Sequence, residues 1–205
     1  HSAMYLDSDE LVYEYTELFR LGDHFVSDID SALALGGAAF SYPKDFMRSH
    51  PGSTLDVVEI DPDLTEFAKE YFGLQESPNL AVYHEDARTY LNDNEKKYDV
   101  IYSDVFNAFT IPFQLTTVEA VQKMYDSLDE DGVVLVNIVS AAKGEAAGFL
   151  QAEYSTFSLV FPQLYLFPVY PWPHPANDIQ NYMLVALKSE EVPVLESEDE
   201  QLNDY

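Results

Sequence analysis

Four apolar runs in this sequence stop at residues that can bind or react. Gly36-Gly37 ends ALALGG, Glu59 and Asp61 end DVVEID, Asp86 ends VYHED, and Asp104 ends DVIYSD. Acids are disfavoured inside strands, so three successive runs closed by an acid exceed what strand propensity alone produces. A glycine pair lets the chain turn sharply and lets a ligand come close to the backbone. A helix after it would aim free N–H groups at the same spot. Glu59 lies 22 positions after Gly37, near the roughly 20-residue spacing at which an acid takes ribose hydroxyls. Asp86 is placed to accept from an exocyclic amine such as adenine's, leaving Asp104 to face the reacting end of a ligand. Each residue also has a plainer local reading. A GG turn after a strand is common, Asp86 can cap a helix, and Asp104 can be a polar strand end. The chemistry rests on the set of them at successive strand ends.

The elements that must position these residues alternate. Residues 7–19 (DSDELVYEYTELF) space Leu11, Tyr15 and Leu18 for a helix, with Ser8 or Asp9 as cap and Gly22 as its stop. Residues 32–37 read as a buried strand, and Pro43 falls in the first turn of the next helix, where its missing N–H costs nothing. Strand 55–60 leads through Asp61-Pro62, a cap followed by a first-turn proline, into a helix to about residue 72. Strand 80–85, a short helix over 87–91 and strand 98–103 follow. A loop containing Pro112 then leads to a helix over 116–128, an Asp131-Gly132 turn, strand 133–140 (VVLVNIVS) and a helix over 145–160. The end changes character. Strands 163–170 and 181–188 are joined only by the loop PWPHPANDIQ, so they should pair antiparallel. The expected fold class is α/β: a seven-stranded, mostly parallel sheet with a C-terminal antiparallel hairpin and helices on both faces. Three regions are expected: residues 1–30 as a helical segment packing on the core, 31–188 as the nucleoside-binding domain, and 189–205 as an acidic, disordered tail.

Composition narrows the function. At 205 residues and 47% apolar, the chain suits one folded domain. Its net charge of −27 repels phosphate backbones and anionic membranes and attracts small cations. The expected partner is therefore a small cationic substrate, with neither nucleic acid nor membrane contact; a homodimer is compatible with the sequence. Seven acids and no base fall in residues 189–205. There are no cysteines, and the five histidines show no ligand spacing, so no metal site is expected. No GxSxG, Walker-type or EF-hand pattern is present. No apolar run reaches the roughly 20 residues of a membrane span, and cytoplasm is the expected location of this domain. The chain opens at His1 without an initiator methionine, which reads as the start of a piece whose natural N-terminal part precedes it and leaves a membrane segment there open. The aromatic loop around Trp172 reads equally as a lid or a partner contact.

LGGAAFSYP, DVVEIDP, HEDARTYL and YDVIYSD, in this order, resemble the Rossmann-like class I S-adenosylmethionine-dependent methyltransferase fold, and within it the spermidine synthase family of aminopropyltransferases. The resemblance extends to DELVYEYTEL, DGVVLVN and Tyr170-Pro171, covering most of residues 7–188, and it makes the nucleoside-binding domain expected over residues 31–188 class I methyltransferase-like. It implies S-adenosylmethionine or its decarboxylated form as the sulfonium nucleoside, held by Gly36, Gly37, Glu59, Ile60, Asp86 and Ala87. It implies Asp104 as the acid that accepts a proton from the attacking amine. Tyr13, Asn107 and Tyr170 would line the amine pocket; on sequence alone Tyr13 and Tyr170 are two of 15 tyrosines and as readily packing residues. The sequence departs from the family at two positions. Polyamine-making members carry an acid where Ala39 stands and a second one where Asn107 stands.

The function expected is transfer of an aminopropyl or methyl group from such a sulfonium nucleoside to an amine. The alternative expected from Ala39 and Asn107 is a non-catalytic module that keeps the fold for nucleoside binding or assembly. A nicotinamide-dependent oxidoreductase fits less well, because the glycine loop lacks the third glycine of GxGxxG.

Overall fold

Leu33 and Leu35 pack to one side of the first strand and Ala32 and Ala34 to the other, so the run ALAL is apolar on both faces. That pattern requires a strand covered on both sides, as in a parallel sheet between helix layers. A computed structural model shows this arrangement and describes residues 3–5, 8, 10–106, 111–171 and 173–196. Among the described residues there is one seven-stranded sheet of order β3-β2-β1-β4-β5-β7-β6. Its strands are β1 (Ser31–Leu35), β2 (Thr54–Val58), β3 (Leu80–Tyr83), β4 (Tyr98–Ser103), β5 (Leu128–Ser140), β6 (Gln163–Pro168) and β7 (Gln180–Leu187). The first five pair parallel, and β7 lies antiparallel to both β5 and β6. The expected fold class, including the terminal hairpin, is the observed one.

One face carries α1 (Glu14–Glu17), a 3-10 turn Leu18–Arg20, α2 (Leu21–Phe25), α3 (Ser41–Ser49) and α4 (Pro62–Tyr71). The other carries α5 (Ala87–Asp93), α6 (Val118–Asp126) and α7 (Gly148–Ser158). Capping follows the sequence signals. Asp61 accepts from the Asp63 amide at 3.0 Å with Pro62 at the first helical position, which fixes where α4 starts.

Three local expectations are corrected. The helix expected over residues 7–19 starts only at Glu14, because Tyr13 is extended (φ −98, ψ 125) and its carbonyl receives the Thr16 amide and hydroxyl. Gly22 does not end a helix but lies inside α2. A Cβ there would sit 2.9 Å from the Tyr102 hydroxyl, so glycine is present for close packing on β4. Asp131-Gly132 is not a turn before the fifth strand but part of a bulge within β5. Tyr98 pairs with Leu128 and Val100 with Val133, so residues 129–132 loop out of the ladder.

The N-terminal segment is fixed to the sheet layer by charge as well as by apolar contact. Arg20 donates two hydrogen bonds of 3.0 Å to the carboxylate of buried Asp45 on α3, a bidentate geometry that locks orientation. The segment after β7 is tied to the start of β6 and to α2, where His24 Nε2 lies 2.7 Å from the Val194 carbonyl. The Gln163 side-chain amide donates to the Ser189 and Glu191 carbonyls, both at 2.7 Å. Among the described residues no helix is long and apolar enough to cross a membrane.

Candidate active site

β1 and β4 are neighbours in the sheet, yet the chain leaves β1 toward α3 on one face and β4 toward α6 on the other. This is the crevice where open α/β sheets bind ligands. The two strand ends are stitched together, the Asp104 amide donating to the Leu35 carbonyl at 2.9 Å. Gly36 has φ +89, and a Cβ there would lie 2.6 Å from the Asp104 carbonyl oxygen, so only glycine fits. The loop continues through two left-handed residues that are not glycine, Ala38 (φ 46) and Phe40 (φ 58). Such conformations cost on the order of 1 kcal/mol each and need a compensating restraint.

Glu59 supplies that restraint at Ala38, while the Phe40 amide donates to the Gly37 carbonyl at 2.7 Å. Glu59 Oε2 accepts from the Gly37 amide at 3.0 Å and the Ala38 amide at 2.8 Å, and its Oε1 from the Asp61 amide at 3.0 Å. A carboxylate has about four acceptor sites. With three filled by backbone, one site on Oε1 is left for a ligand hydroxyl. Ile60 beside it is 66% exposed and offers an apolar surface at the strand end.

Asp86 caps α5, its Oδ1 accepting from the Arg88 and Thr89 amides at 2.9 and 3.1 Å. Its Oδ2 accepts from the Gln114 side chain at 3.1 Å. The Arg88 guanidinium donates in turn to the Gln114 carbonyl and the Thr117 hydroxyl, both at 3.0 Å. This ties the β3–α5 turn to the β4–α6 connection. Ala87, the first residue of α5, is buried.

Asp104 is half-buried and held by two neutral donors: the Asn137 amide on Oδ1 at 2.9 Å and the Tyr15 hydroxyl on Oδ2 at 3.2 Å. Asn137 is itself oriented by the Asn181 amide, 2.8 Å from its Oδ1. Burial pushes the Asp104 carboxyl above its ordinary value, and the two hydrogen bonds only partly oppose this. The same burial, with the Asp104 charge beside it, pushes the Tyr15 hydroxyl well up. Asp104 opens on a cleft walled by the glycine loop, by Pro43 of α3, and by the rings of Tyr13, Tyr15, Phe19, Tyr42 and Tyr102. Tyr13 and Tyr15 stack with centroids 5.9 Å apart.

The structure thus gathers Gly36, Gly37, Tyr13 and Asp104 around one cleft, with Glu59 directly behind the glycine loop. Ile60, Asp86 and Ala87 sit at the carboxyl ends of β2 and β3, the next positions along the sheet. Tyr170 is not among the described residues lining the cleft. It is 49% exposed, with its backbone bound to the Gln180 side chain and its ring 5.4 Å from His174. Asn107 and Trp172 lie outside the described residues.

Sequence reasoning missed Tyr15, Asn137 and Gln114. Asn137 had a readable signal, since an asparagine inside VVLVNIVS must find a partner when buried. Tyr15 had none; its hydroxyl meets a carboxylate 89 residues away only through the packing of α1 on the sheet.

Comparison with known proteins bears on the family and the fold. Residues 24–190 match the family model described as the spermine/spermidine synthase domain. A polyamine aminopropyltransferase of Vibrio vulnificus is 31% identical over 162 residues, 78% of this chain and 52% of that protein. The chain therefore spans about half the length of that relative. A crystal structure of a probable spermidine synthase from Corynebacterium glutamicum superposes with TM-score 0.83 at 23% identity, over 96% of this chain and 72% of the other. Human methyltransferase-like protein 13, solved in complex with SAH, superposes with TM-score 0.72 at 23% identity, over 89% and 85%. The two structures share the fold; the family model, spanning the glycine loop, the strand-end acids and the terminal hairpin, shows that the chain belongs to the spermine/spermidine synthase family.

Proposed function

We propose that this chain transfers an alkyl group, aminopropyl or methyl, from decarboxylated S-adenosylmethionine or S-adenosylmethionine to an amine. The observation that carries the reading is Asp104: a half-buried carboxylate at the switch point, fixed by two neutral donors and facing an aromatic cleft. Two buried carboxylates elsewhere do neutralise a neighbouring cation, Asp45 with Arg20 and Asp56 with Lys96. Tyr15 and Asn137 orient Asp104 without spending its charge, which stays available for a substrate ammonium group. The nucleoside reading draws support from the fit of the residues present. Glu59 keeps one acceptor site open for a ribose hydroxyl, and Ile60 offers an apolar face. Asp86, already a cap, has its remaining acceptor capacity for an adenine amine. That a relative is named an aminopropyltransferase and a structural neighbour holds SAH is consistent with it.

The protein's share of the chemistry is small, because a sulfonium is already a good leaving group. The amine lone pair forms the new C–N bond as the C–S bond breaks and its electron pair stays on sulfur. The proton shed by nitrogen goes to Asp104. A carboxyl raised by burial is a better matched acceptor for that proton than an ordinary surface acid. The aromatic walls exclude water and fix the approach.

The test is calorimetry with S-adenosylmethionine, its decarboxylated form and methylthioadenosine, followed by turnover with amines. Failure of all three to bind at millimolar concentration ends the proposal. Asp104→Asn should abolish turnover and leave nucleoside binding within about threefold, as expected for a group acting mainly in the transition state.

A further inference from the structure

Resting on the transfer reading above, we propose that the acceptor is a monocation: a primary amine carried on an apolar or aromatic body, not an α,ω-diamine. The described residues of the cleft supply one counter-charge. Among its described lining residues Asp104 is the sole acid, and the glycine-loop wall, residues 36–38, presents only backbone and a methyl group. The remaining wall facing the acceptor is aromatic, formed chiefly by Tyr13, Tyr15, Phe19 and Tyr42. Aromatic faces accept one desolvated ammonium and the hydrocarbon attached to it. They do not balance a second full charge placed a few methylenes deeper.

Selection of this kind has to happen inside the cleft. The −27 net charge of the chain draws any polycation to the surface and favours the diamine in the encounter step. Once water is excluded the order reverses. The first ammonium pairs with Asp104, whose two oxygens already hold Tyr15 and Asn137 and can take one more cation between them. The second ammonium of a diamine meets rings, methyl groups and neutral hydroxyls such as those of Thr16 and Ser41, with no second carboxylate among the described lining residues, and a buried charge without a counter-charge is among the more expensive things a site can hold.

The experiment compares n-butylamine with putrescine, which differ only in the second amine, under one sulfonium donor. Release of the thioether product is the readout. The monocation should be favoured in kcat/KM by roughly a hundredfold. Ala38→Asp places a second acid on the glycine-loop wall, at a left-handed position (φ 46) that aspartate tolerates better than alanine. That variant should narrow the preference by about tenfold or more. Calorimetry of both amines on protein loaded with methylthioadenosine gives a second readout that needs no turnover, and n-butylamine should bind the more tightly. Equal or better use of putrescine, or tighter putrescine binding, overturns the monocation assignment while leaving alkyl transfer intact. Absence of binding by both amines to the loaded protein also overturns it. Failure of the sulfonium nucleosides to bind, measured without amine, overturns the underlying transfer reading as well.

Discussion

Removing one hydroxyl, in Tyr15→Phe, should move the acid limb of the pH–rate profile without emptying the cleft. The ring that lines the acceptor wall remains, and only the donor to Asp104 Oδ2 is lost. A hydrogen bond to a charged group contributes roughly 1.5–3 kcal/mol. At 3.2 Å this one is longer than the usual range for a hydroxyl donor, so the low end applies, about 1.5 kcal/mol, close to a tenfold change in the ionisation equilibrium. The sign follows from what the bond does. It stabilises the ionised carboxylate and so opposes the burial that raises Asp104. Without it Asp104 rises further.

The ionised form is the one that can accept the amine proton, so kcat/KM falls as pH drops through the Asp104 value. In Tyr15→Phe that fall should begin about one unit higher. Near the foot of the wild-type limb the variant should be roughly tenfold slower, and on the plateau within about twofold. The assay is kcat/KM for thioether release across the acid and neutral range at saturating nucleoside. Asn137→Leu serves as companion, because it removes the shorter 2.9 Å bond and orphans Asn181; its shift should be the larger. A limb that stays in place in both variants, or moves down, removes Asp104 from the role of proton acceptor.

Three further outcomes follow from the same geometry. Glu59→Gln replaces an acceptor of three backbone amides by a side chain that must turn an N–H toward one of them; it should weaken nucleoside binding by roughly 10–100-fold in calorimetry and lower stability by about 1–3 kcal/mol in urea. Gly36→Ala forces a Cβ to 2.6 Å from the Asp104 carbonyl at φ +89, so the urea midpoint should fall by the equivalent of about 2–4 kcal/mol, and a smaller loss than 1 kcal/mol would show the loop to be pliable. Glu153, 2% exposed on the inner face of α7, has a carboxyl pushed by burial to about 7. Because this value lies above that of the unfolded chain, its contribution to stability is present below the unfolded value and is lost as pH rises to about 7. Glu153→Gln should therefore gain on wild type with rising pH, reaching an advantage of about 3 kcal/mol at mildly alkaline pH, read from paired urea melts.

Strand positions and burial follow from patterns that act locally, and those were legible. A run apolar on both faces can only be an inner parallel strand, and Asp61-Pro62 can only start a helix economically, so β1, β2 and α4 stand where the residues call for them. The misread elements are those where a distant partner overrides a local preference. Residues 10–13 have helical spacing, yet the carbonyl of Tyr13 is claimed by Thr16 and its ring by the cleft, so the helix begins later. Gly22 has the local character of a helix stop, but its missing side chain is needed by Tyr102, eighty positions on. The site divides the same way. The position of Glu59 at its strand end was legible from its spacing to Gly37, whereas its hold on the Gly37 and Ala38 amides was not, since nothing local says that a carboxylate will bind a loop about twenty residues earlier in the chain. On the proposed nucleoside reading, the carboxylate that holds Gly37 and left-handed Ala38 would keep one acceptor site for a ribose hydroxyl, so the geometry of the glycine loop and the affinity for ribose would be coupled through Glu59. A substitution that relaxes the loop strain, such as Ala38→Gly, should then change nucleoside affinity even though it adds no contact to the ligand.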